Sequence, residues 1–256
     1  MKIRASFDIA FNCTQPVPML LMLSVHPCRR CDLLSEDRID FSPKVRNRGF
    51  KDAFGNICTR LVAPPGLLEL RNEFIIADSG QPDGVAPDAE QWPVEALPDD
   101  ALMYLLGSRY CDTQKLSDQA WSIFGRIDGG WARTKAVCQY VHDRLEFGYQ
   151  HARDDRTAWE GHEERVGVCR DFAHLAIALC RCVNIPARYC TGYLGDIGVP
   201  PDQPQWISAP GLRFSWAGVG TFLMRGIIGR VSAELWSRVE EMPPMWLSPR
   251  HSDPRG

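Results

Sequence analysis

Residues Gly167–Cys180 read GVCRDFAHLAIALC, and this stretch decides how the chain is understood. A glycine turn leads into a cysteine, and the cysteine opens a run whose apolar residues follow a helical period. Phe172, Ala176, Leu179 and Val183 mark one stripe, and Ala173, Ile177 and Cys180 widen it, so the spacing predicts a largely buried helix. A cysteine at a helix start can serve packing or chemistry. The free N–H groups there carry partial positive charge, which would lower the thiol pKa and could also hold an oxyanion, so Cys169 is a candidate nucleophile.

The flanks extend the pattern. Upstream, GGWARTKAVCQYVHDRLEF repeats Val137, Tyr140, Val141 and Leu145 at helical spacing, and KLSDQAWSIFG and LPDDALMYLLGSRYC are shorter helix candidates. The segment GYQHARDDRTAWEGHEERVG reads as a polar loop, and IPARYCTGYLG reads as a strand leaving the Cys169 helix. Nearer the start, Ile3, Ala5, Phe7, Ile9 and Phe11 alternate, as do Leu68, Leu70, Phe74 and Ile76. TQPVPMLLMLSV is an extended apolar run, and FKDAFGNICTRLV has a turn signal at Phe54-Gly55-Asn56. Such strands predict a small β-sandwich.

The domain expectation is therefore α+β. Residues 1–85 form a β-rich domain, 86–100 a Pro-, Gly- and acid-rich linker, 101–205 a helical core with its first strand, and 206–256 a poorly ordered tail without clear period. A chain of 256 residues with a formal net charge of −3 offers no dedicated nucleic-acid surface. No apolar run reaches the roughly 18–20 residues that would span a bilayer. The start lacks the apolar core of a secretory signal, so ten cysteines read as free thiols in a reducing cytoplasm.

The motifs TA (157–158), R-x-G-V-C-R-D-F-A-H-L (165–175), IPAR (185–188) and GYLGD (192–196) resemble the bacterial transglutaminase-like family, which has a papain-like core. The likeness covers about residues 1–205, including the β-rich start. It implies that Cys169 is the nucleophile and that the family acts on amide bonds of peptide or protein substrates, by hydrolysis or by acyl transfer through a thioester. No cofactor or metal is called for. The family also implies a histidine and an aspartate later in the chain.

Those partners are not evident. His174, five residues on, is rotated about 140° from Cys169 around a helix. His251 sits in the tail, while His142, His151 and His162 precede the cysteine. Codons able to encode the tail, read one base out of phase from Trp206, give DF-x-AWFEVFLGGRWY-x-FDARHN, which looks like the missing strands. A frame change near residues 203–206 is therefore expected. Even the restored frame cannot place histidine before AWFE, because Ala209 codons begin GC. The expectation is a catalytically incomplete cysteine enzyme; the alternative is a non-catalytic protein-interaction domain.

Other signals have plainer readings. Cys28 and Cys31 in HPCRRC stand at C-x-x-C spacing, but with only Cys58 nearby a zinc set is not expected, and they read as solvated thiols. Asp171 and Arg170 are read as capping and charging the helix start. Trp159 could line the approach to Cys169 or simply pack.

Overall fold

The computed structural model describes residues 2–78, 87–190 and 221–224. Residues 2–78 belong to one compact unit, and 87–190 with 221–224 to a second.

The first unit holds β1 (Lys2–Cys13), β2 (Val17–Leu21), β3 (Asp40–Ser42), β4 (Asn47–Lys51), β5 (Ile57–Ala63) and β6 (Gly66–Ala77). They form two antiparallel sheets, ordered β1-β6-β3 and β2-β5-β4. The alternation read in the sequence is kept: Ala5, Phe7 and Ile9 of β1 are buried, as are Leu68, Leu70 and Phe74 of β6. One buried cluster draws Phe7, Ile9, Leu68 and Leu70 from the first sheet and Leu21, Leu61 and Ala63 from the second. What the sequence suggested as a sandwich is seen as these two small sheets. The β4–β5 hairpin turns where expected. Gly55 takes a left-handed φ of 85°, and Asp52 Oδ1 accepts from the N–H groups of Phe54 (2.8 Å) and Asn56 (2.9 Å).

The second unit contains α1 (Asp99–Leu102), α2 (Thr113–Phe124), α3 (Trp131–Arg144), β7 (Glu146–Phe147), α4 (Ala158–Glu164), β8 (Val166–Gly167), α5 (Cys169–Cys182), β9 (Ala187–Cys190) and β10 (Thr221–Met224). Helix α5 is its axis: every residue from Ala173 to Cys180 is buried. It packs with Leu116, Ala120 and Phe124 of α2 and Val137 and Val141 of α3 in a single core. β9 and β10 pair antiparallel, and β7 and β8 pair parallel.

Two differences from the sequence reading have clear causes. The polar loop before Cys169 contains α4, started by a capping box: the Glu160 N–H donates to Thr157 Oγ1 (3.3 Å), and the Thr157 N–H donates to Glu160 Oε2 (2.9 Å). The signal Thr157-x-x-Glu160 was present in the sequence. Second, the described part of the expected linker is bonded into the helical unit. The Trp131 N–H donates to Ala89 O (3.0 Å), and Gln91 Nε2 donates to Val183 O (2.9 Å). Arg133 Nη1 donates to Gln91 Oε1 (2.8 Å). Gly130, with φ 80°, is required here, since a Cβ would lie 2.0 Å from Ala89 O. Of the tail at 206–256, Thr221–Met224 form β10, and the rest lies outside the described residues.

His174 is buried on α5, its ring 5.2 Å from Tyr110 and 5.2 Å from Tyr189, and its Nδ1 has no hydrogen-bond partner among the described residues. Burial, reinforced by the positive charge of Arg170, pushes its pKa down to about 4. Because the folded state holds this imidazole neutral, the stability it contributes is complete above the unfolded value near 6.5 and is lost as pH falls toward 4. The expected loss from pH 7 to pH 4 is about 3 kcal/mol from this group. Urea unfolding at a series of pH values should show that component in the wild type and not in His174→Phe; identical pH slopes would contradict it.

Candidate functional site

The head of α5 is set by two short strands and a buried ion pair. β7 and β8 run side by side, with the Glu146 N–H donating to Arg165 O (2.8 Å) and the Gly148 N–H to Gly167 O (3.1 Å). This pairing carries the chain into the helix and brings Tyr149, just after β7, into the electrostatic environment of Cys169. Phe147 packs on Tyr149 edge-on at 4.9 Å and on Phe172 at 6.3 Å, forming an aromatic flank.

Asp171 anchors the helix start. Its Oδ2 accepts from the Val168 N–H (2.9 Å) and from Arg156 Nη1 (3.0 Å), and Arg170 Nη2 stands 3.4 Å from Oδ1. The Asp171 and Arg156 side chains are only 1% and 3% exposed. Arg156 also donates to Glu164 Oε2 from Nε (3.0 Å) and Nη2 (2.9 Å) and to His151 O from Nη1. The capping role read for Asp171 is therefore present, but its buried partner Arg156 lies in the segment that reads as a polar loop. Nothing in an isolated arginine signals burial; the C-terminal Glu164 of a recognised α4 would have been the clue. Gly167 is needed for this packing, because a Cβ there would stand 2.8 Å from Asp171 Cβ.

Cys169 is the first residue of α5 and is partly buried. The expectation that the helix start lowers its pKa is not met. Burial pushes the thiol up to about 11, and the Asp171 carboxylate adds to the rise, while the backbone hydrogen bond at the helix start pulls the other way and loses. The Cys169 sulfur accordingly carries its proton at neutral pH.

No hydrogen bond joins a histidine to Cys169 among the described residues. His174 packs against the rings of Tyr110 and Tyr189. His162 is 1% exposed, with Nε2 2.8 Å from Tyr140 Oη and Nδ1 3.1 Å from Glu163 Oε1. Nδ1 of His142 faces Asp143 at 2.9 Å, and Nε2 of His151 faces Gln150 at 3.2 Å. His251 and the frame-change segment at 203–206 lie outside the described residues. Trp159 packs against the helical core and stacks on His162 at 6.1 Å. Cys180 and Cys182 are buried, whereas Cys28 and Cys31 are exposed. Among the described residues no group of three or more His, Cys, Asp or Glu is placed to hold a metal ion. No helix among them is long and apolar enough to cross a membrane.

Removing Arg156 would take the one buried guanidinium from the buried Asp171 carboxylate and leave it the Val168 N–H and the more exposed Arg170. Arg156→Met is expected to destabilise the fold by about 3–5 kcal/mol, read as a shift of the urea midpoint. Asp171→Asn in the Arg156→Met background should recover part of that loss. An unchanged midpoint in Arg156→Met would show that the pair does not anchor the helix.

Comparison with known proteins follows the same residues. The profile described as the Transglutaminase-like superfamily matches residues 122–237, a span that includes Cys169 and continues past Gln205, where the sequence likeness was expected to end. A crystal structure of a candidate cysteine protease from Cytophaga hutchinsonii superposes with a TM-score of 0.64 at 25% identity, covering 90% of this chain and 83% of that one. The periplasmic domain of TgpA from Pseudomonas aeruginosa aligns at a TM-score of 0.35 and 14% identity over 95% of this chain and 74% of that one, a likeness too distant to carry an argument. No curated protein matches the chain. The chain thus carries a transglutaminase-like domain over residues 122–237, a span that contains the Cys169 helix, its glycine entry and its buried Asp171 carboxylate.

Proposed function

We propose that this protein is a transglutaminase-like cysteine enzyme by descent, built to act on amide carbonyls through Cys169, and that this chain is catalytically incomplete. In the complete reaction the Cys169 thiolate would attack the carbonyl carbon of a peptide or carboxamide. The amine would leave with a proton, and water or another amine would cleave the resulting thioester. That chemistry needs a base to take the thiol proton. The single observation behind the incomplete reading is that the thiol is pushed up to about 11 with no histidine bonded to it among the described residues. The same raised thiol favours a second reading, a protein-interaction domain without catalysis. The free state of the nine cysteines whose side chains are described supports a cytoplasmic setting.

The origin of the incompleteness is proposed to be a frame change near residues 203–206, supported by the family-like strands that the shifted codons spell. Sequencing the gene across the codons for Pro204 to Ile207, beside that of a relative, is expected to show a base gained or lost. An intact frame in independent clones would retire the frame change and leave the thiol argument standing.

Alkylation by iodoacetamide, followed residue by residue with peptide mass spectrometry, tests the thiol itself. The rate at Cys169 should climb steadily through alkaline pH toward about 11. A plateau reached below about pH 8 would mean an ionised, activated sulfur and would overturn the incomplete reading.

A further inference from the structure

The motif HPCRRC forms a 3-10 turn, Pro27–Asp32, in the β-rich unit and plays no part in the Cys169 site. Of the nine cysteines whose side chains are described, Cys28 and Cys31 are the two that are exposed. In a 3-10 helix residues three apart are eclipsed and rise by about 6 Å. That falls within the roughly 4.4–6.8 Å Cα separation a disulfide spans. The two thiols thus share one face of one turn.

A base is already in place. Nδ1 of His26 lies 2.9 Å from Cys28 Sγ, and the Cys28 N–H donates to the same nitrogen at 3.2 Å. A nitrogen that accepts from the backbone N–H presents its lone pair, so the thiol is the donor in the Sγ–Nδ1 contact. The imidazole is seated over Gly55, where a Cβ would stand 3.3 Å from Nε2. The turn is pinned on both sides. Arg29 bonds Asp32 (2.6 Å), Asp78 (3.1 Å) and Ala77 O (3.2 Å), the Leu34 N–H donates to Ile75 O (2.8 Å), and the Val25 N–H donates to Asp37 Oδ2 (2.7 Å). Exposed Arg30, between the cysteines, offers positive charge to an acidic partner.

We propose that Cys28 and Cys31 are a redox-active dithiol that exchanges with small acidic disulfides of the glutathione class. Cys28 passes its proton to His26 Nδ1 and attacks one sulfur of the disulfide, forming a mixed disulfide. The glutathione thiolate that leaves takes the proton back from His26. Cys31 then attacks Cys28 Sγ, and its proton goes with the second departing glutathione. The pair is oxidised by two electrons, the small disulfide is reduced to two thiols, and the reaction reverses with excess thiol.

The reduced full-length chain, equilibrated in glutathione redox buffers, is alkylated at its remaining thiols and mapped by peptide mass spectrometry. The expected product is an intramolecular Cys28–Cys31 disulfide. Cys31→Ser should accumulate glutathione on Cys28. Adding His26→Gln should slow that adduct by about ten-fold or more, with the far-ultraviolet circular dichroism unchanged. A pair that stays reduced in every oxidising buffer overturns the proposal. So does an adduct that forms on Cys31 in Cys28→Ser faster than on Cys28 in Cys31→Ser, or a rate insensitive to His26→Gln. The wild-type mapping stands whether or not a variant folds.

Discussion

The contact between Arg156 and Asp171 fixes the start of the central helix, and the arrangement of the site depends on it. A carboxylate that is 1% exposed is tolerable only because a guanidinium and a backbone N–H satisfy it. Through Glu164, the same arginine ties the end of α4 to the head of α5, so the loop and the helix are placed together. The anchor has an electrostatic cost. Asp171 stands two residues beyond Cys169 and opposes ionisation of the thiol, as burial also does. The group that holds the sulfur in position therefore works against its reactivity. Activation at this site must come from a partner that supplies positive charge or takes the proton.

How much of this was legible in the sequence follows from physical scale. Period alone located α2, α3 and α5 and the buried faces of β1 and β6, because each pattern lies within one element. The position of Cys169 at a helix start was also legible. The direction of its pKa was not: Asp171 was in view two residues on, but burial, the larger cause, is set by how the fold packs around the helix start. Arg156 escaped for the same reason: burial of a charge is decided by distant partners. α4 is a different case, because its capping box was written in local sequence and polar composition obscured it.

Environment rather than number separates the cysteines. Cys138 and Cys180 on α3 and α5 sit where burial raises the thiol, to about 12 for Cys138, and they behave as small apolar residues. Cys28 and Cys31 lie on a pinned, exposed turn with an imidazole at hand. One chain thus holds buried thiols, the partly buried thiol proposed as nucleophile and an accessible pair, and total composition distinguishes none of them.

The bonding of Ala89 and Gln91 into the helical unit bears on where the chain can be cut. Ala89 meets the backbone at the head of α3, and Gln91 bridges the end of α5 to Arg133, so this short stretch closes the core like a strap. A fragment begun at the first regular helix, Asp99, would discard that strap and strip Val183 O and Arg133 of partners they have in the whole protein. A self-sufficient fragment of the helical unit has to start upstream of Ala89.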